Sequence, residues 1–307
     1  MNKVVLSVVA ALAVSAAAPA LAADMPAKAK KVAVAAPSPW DVAFGGLVMS
    51  DYNFRGISQS NRGPSAGAYF EPQFTTSFGT LYVGIAGYGI DWPSGGTYGF
   101  TAPSAEIDFY GGWRKSWGAF SLDLGAIYYY YPRETFNGAT SNSDFFEVYA
   151  KTGYDFGSGV TVGANVFYTP DLLHYSESFA SVGVSQKPSA TYGSLTGKWV
   201  LPWTAGDLGA FVSGELGHWW IESSGFTAFG VAAGVPTIGD PSYTYYNVGL
   251  AFTYKAITLD LRYHGTDQSV QDCANFLLVA VGNSSNNWCN DTFIASLKFD
   301  TTLSALK

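Results

Sequence analysis

The stretch DVAFGGLVMSDYNFR, residues 41–55, alternates apolar and polar side chains with a period of two. Successive side chains of a β-strand point to opposite faces of the sheet, so this pattern predicts a strand with one apolar and one polar face. We expect Tyr52 and Phe54 to face lipid and the polar residues between them to face a lumen. The apolar face carries Val42, Phe44, Val48, Tyr52 and Phe54, and the polar face carries Asp41, Asp51, Asn53 and Arg55.

The same alternation recurs along the chain and predicts about twelve strands. Short turns, such as FGSG at 156–159, alternate with long loops, such as 265–290. Outer-membrane barrels have this regular alternation of short turns and long external loops. The predicted fold is therefore an all-β, transmembrane, antiparallel up-and-down β-barrel. Its polar face predicts these pore-lining residues: Asp51, Asn53, Arg55, Glu106, Asp108, Arg114, Asp123, Glu147, Lys151, Asp155, Lys198, Glu215, Asp260, Arg262 and Lys298.

The composition excludes two other classes of protein. Only 13% of the 307 residues are charged, whereas a soluble domain averages about 25%. A helical span needs roughly 20 consecutive apolar residues, and no such run follows the N-terminal region. The chain also has no basic stripe of the kind that indicates a nucleic-acid partner.

The N-terminal residues have the pattern of an export signal. Lys3 precedes the apolar core VVLSVVAALAVSAAA, and ALA at 20–22 is a small-x-small cleavage site. A retained anchor helix is the alternative. We therefore divide the chain into a signal peptide at 1–22, a periplasmic Pro/Ala/Lys-rich linker at 23–40, the barrel at 41–299 and a C-terminal tail at 300–307.

The chain has two cysteines, Cys273 and Cys289, which lie in one polar segment near the C-terminus. Export through an oxidising compartment favours a disulfide between them.

Aromatic residues concentrate at both ends of the predicted strands. Amphipathic rings prefer the two interfaces of a membrane, so we expect two aromatic girdles. A soluble all-β core is the alternative, but it would need a second layer to cover the apolar faces. The girdle residues are Trp113, Trp117, Trp199 and Trp203 at the turn ends, and Tyr52, Phe54, Tyr128, Tyr130, Trp219 and Trp220 at the loop ends.

The segment SDYNFRGISQSNRGPSAGAYFE, residues 50–71, resembles the N-terminal signature of the TorF family of porins. The resemblance implies an exported, pore-forming protein of the Gram-negative outer membrane. Barrels of this kind usually end at an aromatic residue of the last strand, here Phe299. This chain departs from that pattern, because DTTLSALK follows.

No enzymatic or metal-binding motif emerges from the residue pattern. The strongest candidate for a catalytic base is His218, but His218 and Ser223 would point to opposite faces of a strand. The acidic loops lack the ligand spacing of a metal site. We predict no enzymatic activity, no metal and no cofactor.

The predicted function is passive diffusion of small hydrophilic solutes or ions through a narrow polar lumen in the cell outer membrane. The alternative is a closed structural or surface-binding barrel, plugged by Tyr110, Tyr129, Tyr131 and ion pairs. A lipid-modifying barrel enzyme is a third hypothesis. A slight excess of inward acids predicts a mild cation preference. The expected partners are outer-membrane lipid and lipopolysaccharide, the barrel assembly machinery and small solutes.

Overall fold

The computed structural model describes residues 38–92, 102–136, 139–140, 143–174, 186–224, 240–269, 272–273 and 288–306. The predicted signal peptide and most of the predicted linker lie outside these residues. The strands are β1 (Trp40–Met49), β2 (Asn53–Phe54), β3 (Ile57–Ser58), β4 (Ser65–Thr76), β5 (Gly79–Gly89), β6 (Ala105–Trp117), β7 (Phe120–Tyr130), β8 (Thr135–Phe136), β9 (Ala139–Thr140), β10 (Phe145–Asp155), β11 (Val160–Thr169), β12 (Ala190–Ala205), β13 (Leu208–Ile221), β14 (Tyr243–Tyr254), β15 (Ile257–Thr266) and β16 (Thr292–Thr302).

Twelve of these strands form a closed antiparallel barrel in the order β1, β16, β15, β14, β13, β12, β11, β10, β7, β6, β5, β4. The barrel closes at β1, where Ala43 pairs with Thr302 of β16 on one side and with Glu71 of β4 on the other. Each strand pairs with its neighbours in the chain, so the predicted up-and-down β-barrel is confirmed. We call the end with the short connections the turn end and the opposite end the loop end.

The last strand runs to Thr302, three residues beyond the predicted end at Phe299. Pairing with β1 explains this length, because the strand partner of Thr302 is Ala43 and that of Thr301 is Phe44. The backbone N–H of Leu303 then donates to the Val42 carbonyl at 2.9 Å. The start of the predicted tail is thus part of the barrel wall.

A belt of exposed apolar side chains covers the outside of the barrel. It includes Val148, Leu195, Val248 and Leu259, which alternate with inward-facing residues on their strands. An exposed apolar surface of this extent is the expected outer face of a transmembrane barrel. Among the described residues, no helix is long and apolar enough to cross a membrane.

Glycines on the inner face allow tyrosine rings to lie flat against the barrel wall. A Cβ added at Gly217 would come within 2.3 Å of the Tyr192 hydroxyl, and one at Gly84 within 2.3 Å of the Tyr110 ring. Real Cβ atoms do not approach so closely, so any side chain there would displace the ring. The glycine content of the strands thus makes room for an interior lined with tyrosine.

Candidate functional site

Residues 51–60, which follow β1, turn into the barrel and are buried along their whole length. We call this segment the plug. It contains the strand pair β2 and β3, which hydrogen-bond to each other and not to the barrel wall. The prediction that Tyr52 and Phe54 face lipid is therefore wrong. Their side chains pack against inward-facing residues, and Asp51, Asn53 and Arg55 belong to the plug instead of the pore wall.

The tip of the plug is a two-residue turn formed by Arg55 and Gly56. Both residues have positive φ angles, 49° and 90°, as the central pair of a type I′ hairpin turn requires. The Gly56 N–H donates to the Asn53 side-chain oxygen at 3.0 Å. A Cβ at Gly56 would lie 3.2 Å from both Thr266 and Tyr245, so the turn packs closely against β14 and β15.

Arg55 is held by a buried ion pair with Glu147 of β10. Its two terminal nitrogens donate to the two Glu147 oxygens, both at 2.8 Å, and the Tyr129 hydroxyl also donates to Glu147 at 3.0 Å. A bidentate arginine–carboxylate contact of this kind fixes orientation as well as position. The centre of the guanidinium also lies over aromatic rings, at 4.3 Å from Tyr192 and 4.7 Å from Trp219.

Tyr52 attaches the plug to another part of the barrel wall. Its hydroxyl donates to Glu106 Oε1 at 2.5 Å, and the Tyr131 hydroxyl donates to Glu106 Oε2 at 2.9 Å. The Tyr52 ring stacks on Tyr88 with the ring centroids 4.9 Å apart. The plug therefore spans the lumen, since Tyr52 binds β5 and β6 while Arg55 contacts strands β10 to β13.

A second set of hydrogen bonds ties the plug to itself at its outer rim. Asp51 accepts from the Ser58 hydroxyl at 2.5 Å and pairs with Arg62 at 3.2 Å. Burial raises the pKa of Asp51, and these two contacts oppose that shift.

Residues 288–290, just before β16, pack on this rim. The predicted disulfide between Cys273 and Cys289 is confirmed. The adjacent Trp288 carbonyl accepts from the Ser58 N–H at 2.7 Å, and the Asn290 carbonyl accepts from Arg62. The residues on either side of Cys289 therefore hold the plug at its rim.

In the turn-end half of the interior, Arg114 lies between two carboxylates. It pairs with Glu71 at 3.1 Å and with Asp123 at 3.7 Å, and its guanidinium centre lies 3.8 Å above the Tyr82 ring. Tyr82 donates to Asp123, and its hydroxyl is 2.6 Å from that of Tyr149. These side chains form a continuous polar network across β4 to β10.

A separate network surrounds Arg262 on the other side of the barrel. Arg262 binds Asp260 through two hydrogen bonds of 2.9 and 3.1 Å and donates to Ser213 Oγ at 2.7 Å. Arg262 also donates to Asn247 at 2.5 Å, and Asn247 lies 3.4 Å from Glu215. Arginine therefore holds a carboxylate on both sides of the barrel.

The predicted pore-lining residues fall into three groups. The first group is buried in the plug or beneath it. The second group lines the turn-end half of the interior or the border of that half. The third is Asp155 alone, which lies at a turn and accepts a hydrogen bond from the Gly157 N–H at 2.8 Å. The first group is Asp51, Asn53, Arg55, Glu106, Asp108 and Glu147, and the second is Arg114, Asp123, Lys151, Lys198, Glu215, Asp260, Arg262 and Lys298.

Glu71 was not among the predicted pore-lining residues, but it is buried and bound to Arg114. Alternation could have found it, because Phe70 and Phe74 face outward while Tyr69 and Glu71 face inward. The girdle prediction was also wrong for Trp219, which is buried and contacts Phe54 edge-to-face with the centroids 6.0 Å apart. The other predicted girdle residues lie on the outside; they are Trp113, Trp117, Tyr128, Tyr130, Trp199, Trp203 and Trp220.

His218 was the strongest candidate for a catalytic base. It lies 3.1 Å from the Thr244 hydroxyl and beside the Trp220 ring. Within the described ranges, no group of three or more His, Cys, Asp or Glu side chains is placed to hold a metal ion.

The model of a bacterial protein family of unknown function, Gcw_chp, matches residues 33–205. The chain belongs to this family. No curated protein matches the chain.

Several solved structures are similar at low sequence identity. A NanC porin is 12% identical with a TM-score of 0.45, covering 85% of this chain and 98% of that chain. An outer membrane channel from Pseudomonas putida F1 is 12% identical with a TM-score of 0.45, covering 88% and 97%. LpxR from Salmonella typhimurium is 9% identical with a TM-score of 0.39, covering 84% and 99%.

Proposed function

We propose that the protein is a porin-like channel of the outer membrane that passes small hydrophilic solutes, and that the plug closes its loop end. The charged, partly exposed interior of the turn-end half carries this proposal. Arg114 and Asp123 there are 23% and 21% exposed. Charged side chains in a membrane barrel are tolerated where they face water, and they mark paths for polar solutes.

The position of the plug limits what this pathway conducts. Twelve strands lie between the eight-strand barrels, which side chains fill, and the sixteen-strand porins, which leave an aqueous channel. The lumen of such a barrel is narrow before the plug is added. We therefore expect small conductance, with the larger part of the resistance at the loop end.

Two further features agree with this function. The likeness of residues 50–71 to the TorF family of porins supports an exported pore-forming protein. The apolar outer belt supports contact with outer-membrane lipid, and we include lipopolysaccharide, the barrel assembly machinery and small solutes among the proposed partners. The proposal assigns no catalytic step to the barrel.

A closed structural barrel is the second candidate, because one observation favours it. Residues 51–60 are all buried, the Tyr129 ring contacts Phe54 edge-to-face with the centroids 5.9 Å apart, and Tyr131 shares Glu106 with Tyr52. Tyr110 packs beside Tyr82 instead. In that case the plug would be a permanent part of the core.

Single-channel recording on a plug-shortened variant separates the two candidates. The Gln59 N–H donates to the Tyr52 carbonyl at 2.6 Å, so residues 53–58 can be replaced by two glycines without moving the ends apart. We expect small channels for the unaltered protein and larger ones for the shortened variant. Heat-modifiable migration on a gel shows that each variant is folded, and folded protein that conducts in neither form would refute the channel.

A further inference from the structure

The plug changes which interior charges a solute can meet. Of the eight acids predicted to face inward, four are sealed in or beneath it: Asp51, Glu106, Asp108 and Glu147. Arg55 is the only predicted inward base among the described residues that the plug removes in the same way. The accessible part of the lumen is therefore less acidic than the whole interior.

The carboxylates of the turn-end half already have partners. Glu71 and Asp123 share Arg114, and Asp260 binds Arg262 at 2.9 Å. Glu215 accepts from the Tyr192 hydroxyl at 2.8 Å, and Asp300 interacts with Tyr69 and Lys298. Carboxylates with charge-assisted hydrogen bonds already have strong partners. They offer little to a cation that enters from the turn end.

Three lysines in the same half have no such partner. Lys151, Lys198 and Lys298 lie past the middle of β10, β12 and β16 toward the turn end, and each is partly exposed. Over the part of the chain that the structure describes, no carboxylate oxygen lies within 4.0 Å of their Nζ atoms.

The surroundings of these lysines are aromatic or already paired. The Nζ of Lys151 lies 4.3 Å from the centroid of the Tyr149 ring, and that of Lys198 lies 4.1 Å from that of Phe211. At longer range Lys151 interacts with Asp123, Arg114 and Glu71, and Lys298 interacts with Asp260, Arg262 and Asp300. Aromatic faces attract a cation but leave hydrogen-bond donors of an ammonium group free.

We propose that the turn-end half of the lumen binds small organic anions, with carboxylate as the recognised group. The three lysines supply the counter-charges, because an ammonium group in a narrow lumen gains most from an anion that replaces its lost water. This inference rests on the proposed channel function and names its solute class. It reverses the cation preference expected from the simple count of inward charges.

The first experiment measures reversal potential in a potassium chloride gradient. The unaltered and plug-shortened proteins should both favour chloride over potassium, by roughly twofold, because the lysine ammonium groups can attract anions while the carboxylates are already bound by arginine or hydroxyl donors. The triple variant K151Q/K198Q/K298Q should lose this preference, and each single variant should lose part of it. The control is Lys255→Gln, which removes one positive charge at an exposed turn outside the lumen and should change nothing.

A cation preference in the unaltered protein that the triple variant leaves unchanged would overturn the inference while the channel function stands. Citrate added at the turn end should reduce the chloride current, and the triple variant should be insensitive to it. Inorganic phosphate in place of citrate tests whether carboxylate is the group recognised, and an equal block by phosphate would reject that part.

A readout without current keeps the inference testable if the proposed function fails. Equilibrium dialysis of folded protein in detergent against labelled citrate should give saturable binding that the triple variant loses and Lys255→Gln keeps. Absent binding in the unaltered protein would overturn the anion site. Binding without channels would instead keep the site and reject passage.

Discussion

At the loop end, Arg55 and Glu147 form an ion pair whose side chains are 2% and 0% exposed; at the turn end, Arg114 and Asp123 form one that is 23% and 21% exposed. Both pairs join an arginine to a carboxylate across the same interior. The first pair fastens the plug to the wall, whereas the second is partly exposed to solvent. The difference in exposure sets the strength of each pair, because solvent weakens the attraction between two charges and lowers the cost of separating them.

The largest effect is expected at the buried pair. Glu147→Gln leaves Arg55 buried without a counter-charge, and breaking such a pair by removing one partner costs about 3–5 kcal/mol. We expect this loss in the free energy of unfolding measured by urea in lipid vesicles. The double variant Arg55→Met/Glu147→Gln removes both charges and should recover most of it.

Limited proteolysis gives an independent reading of the same change. Trypsin cleaves after Arg55 only when the plug leaves the lumen, and a loss of about 3 kcal/mol corresponds to roughly 100-fold more frequent opening. Cleavage that Glu147→Gln fails to accelerate would show that the ion pair does not fasten the plug. The loop-end and turn-end pairs would then be equivalent.

The disulfide is expected to have the next largest effect. Cys273 and Cys289 are separated by 16 positions, and closing a loop of that size contributes about 3 kcal/mol in the chain-entropy model. The double variant Cys273→Ser/Cys289→Ser should lose this stability and also open the plug more often, because Trp288 binds Ser58. Reductant should reproduce the effect in the unaltered protein and leave the double variant unchanged.

A smaller effect is expected where glycine meets tyrosine. Gly217→Ala places a methyl group against Tyr192, which in turn contacts Arg55. Overpacking of this kind costs about 1–3 kcal/mol, and we expect it in the free energy of unfolding.

Gly197→Ala is the matched control for that prediction, since it adds the same methyl group where nothing lies within 4 Å. Equal losses for Gly217→Ala and Gly197→Ala would mean that strand propensity, and not ring packing, sets the cost. A loss of stability confined to Gly217→Ala would show that ring packing, as well as the buried ion pair, stabilises the loop-end half.

Much of the barrel could be predicted from the sequence, because a wall between lipid and lumen imposes strict alternation on every strand. This alternation alone correctly places Val148 on the outside of the barrel and Glu147 on the inside. The parity of 51–55 continues that of β1 without a break, and this is why the plug was mistaken for wall. An apolar side chain satisfies the pattern equally well in lipid or against Tyr88 and Trp219.

The alternation of side chains along a strand could not predict which interior charges pair with each other. Arg55 and Glu147 are 92 residues apart in the chain, so only the folded plug brings them together. One local signal was available, since the pair Arg55–Gly56 fits a two-residue hairpin turn. Arginine is uncommon at the first position of that turn, where the left-handed backbone normally favours asparagine or glycine, so the signal was weak.

The smallest effect is expected at the exposed pair between Lys255 and Asp207, which lies outside the lumen altogether. Their side chains are 66% and 64% exposed and their charged atoms are 3.9 Å apart. Solvent and salt screen such a pair, so Lys255→Gln should change the free energy of unfolding by less than about 0.5 kcal/mol. The same urea titration in vesicles measures it beside Glu147→Gln. A loss at Lys255 as large as that at Glu147 would show that burial does not set the strength of ion pairs in this barrel, and the contrast between its two ends would then need another physical cause.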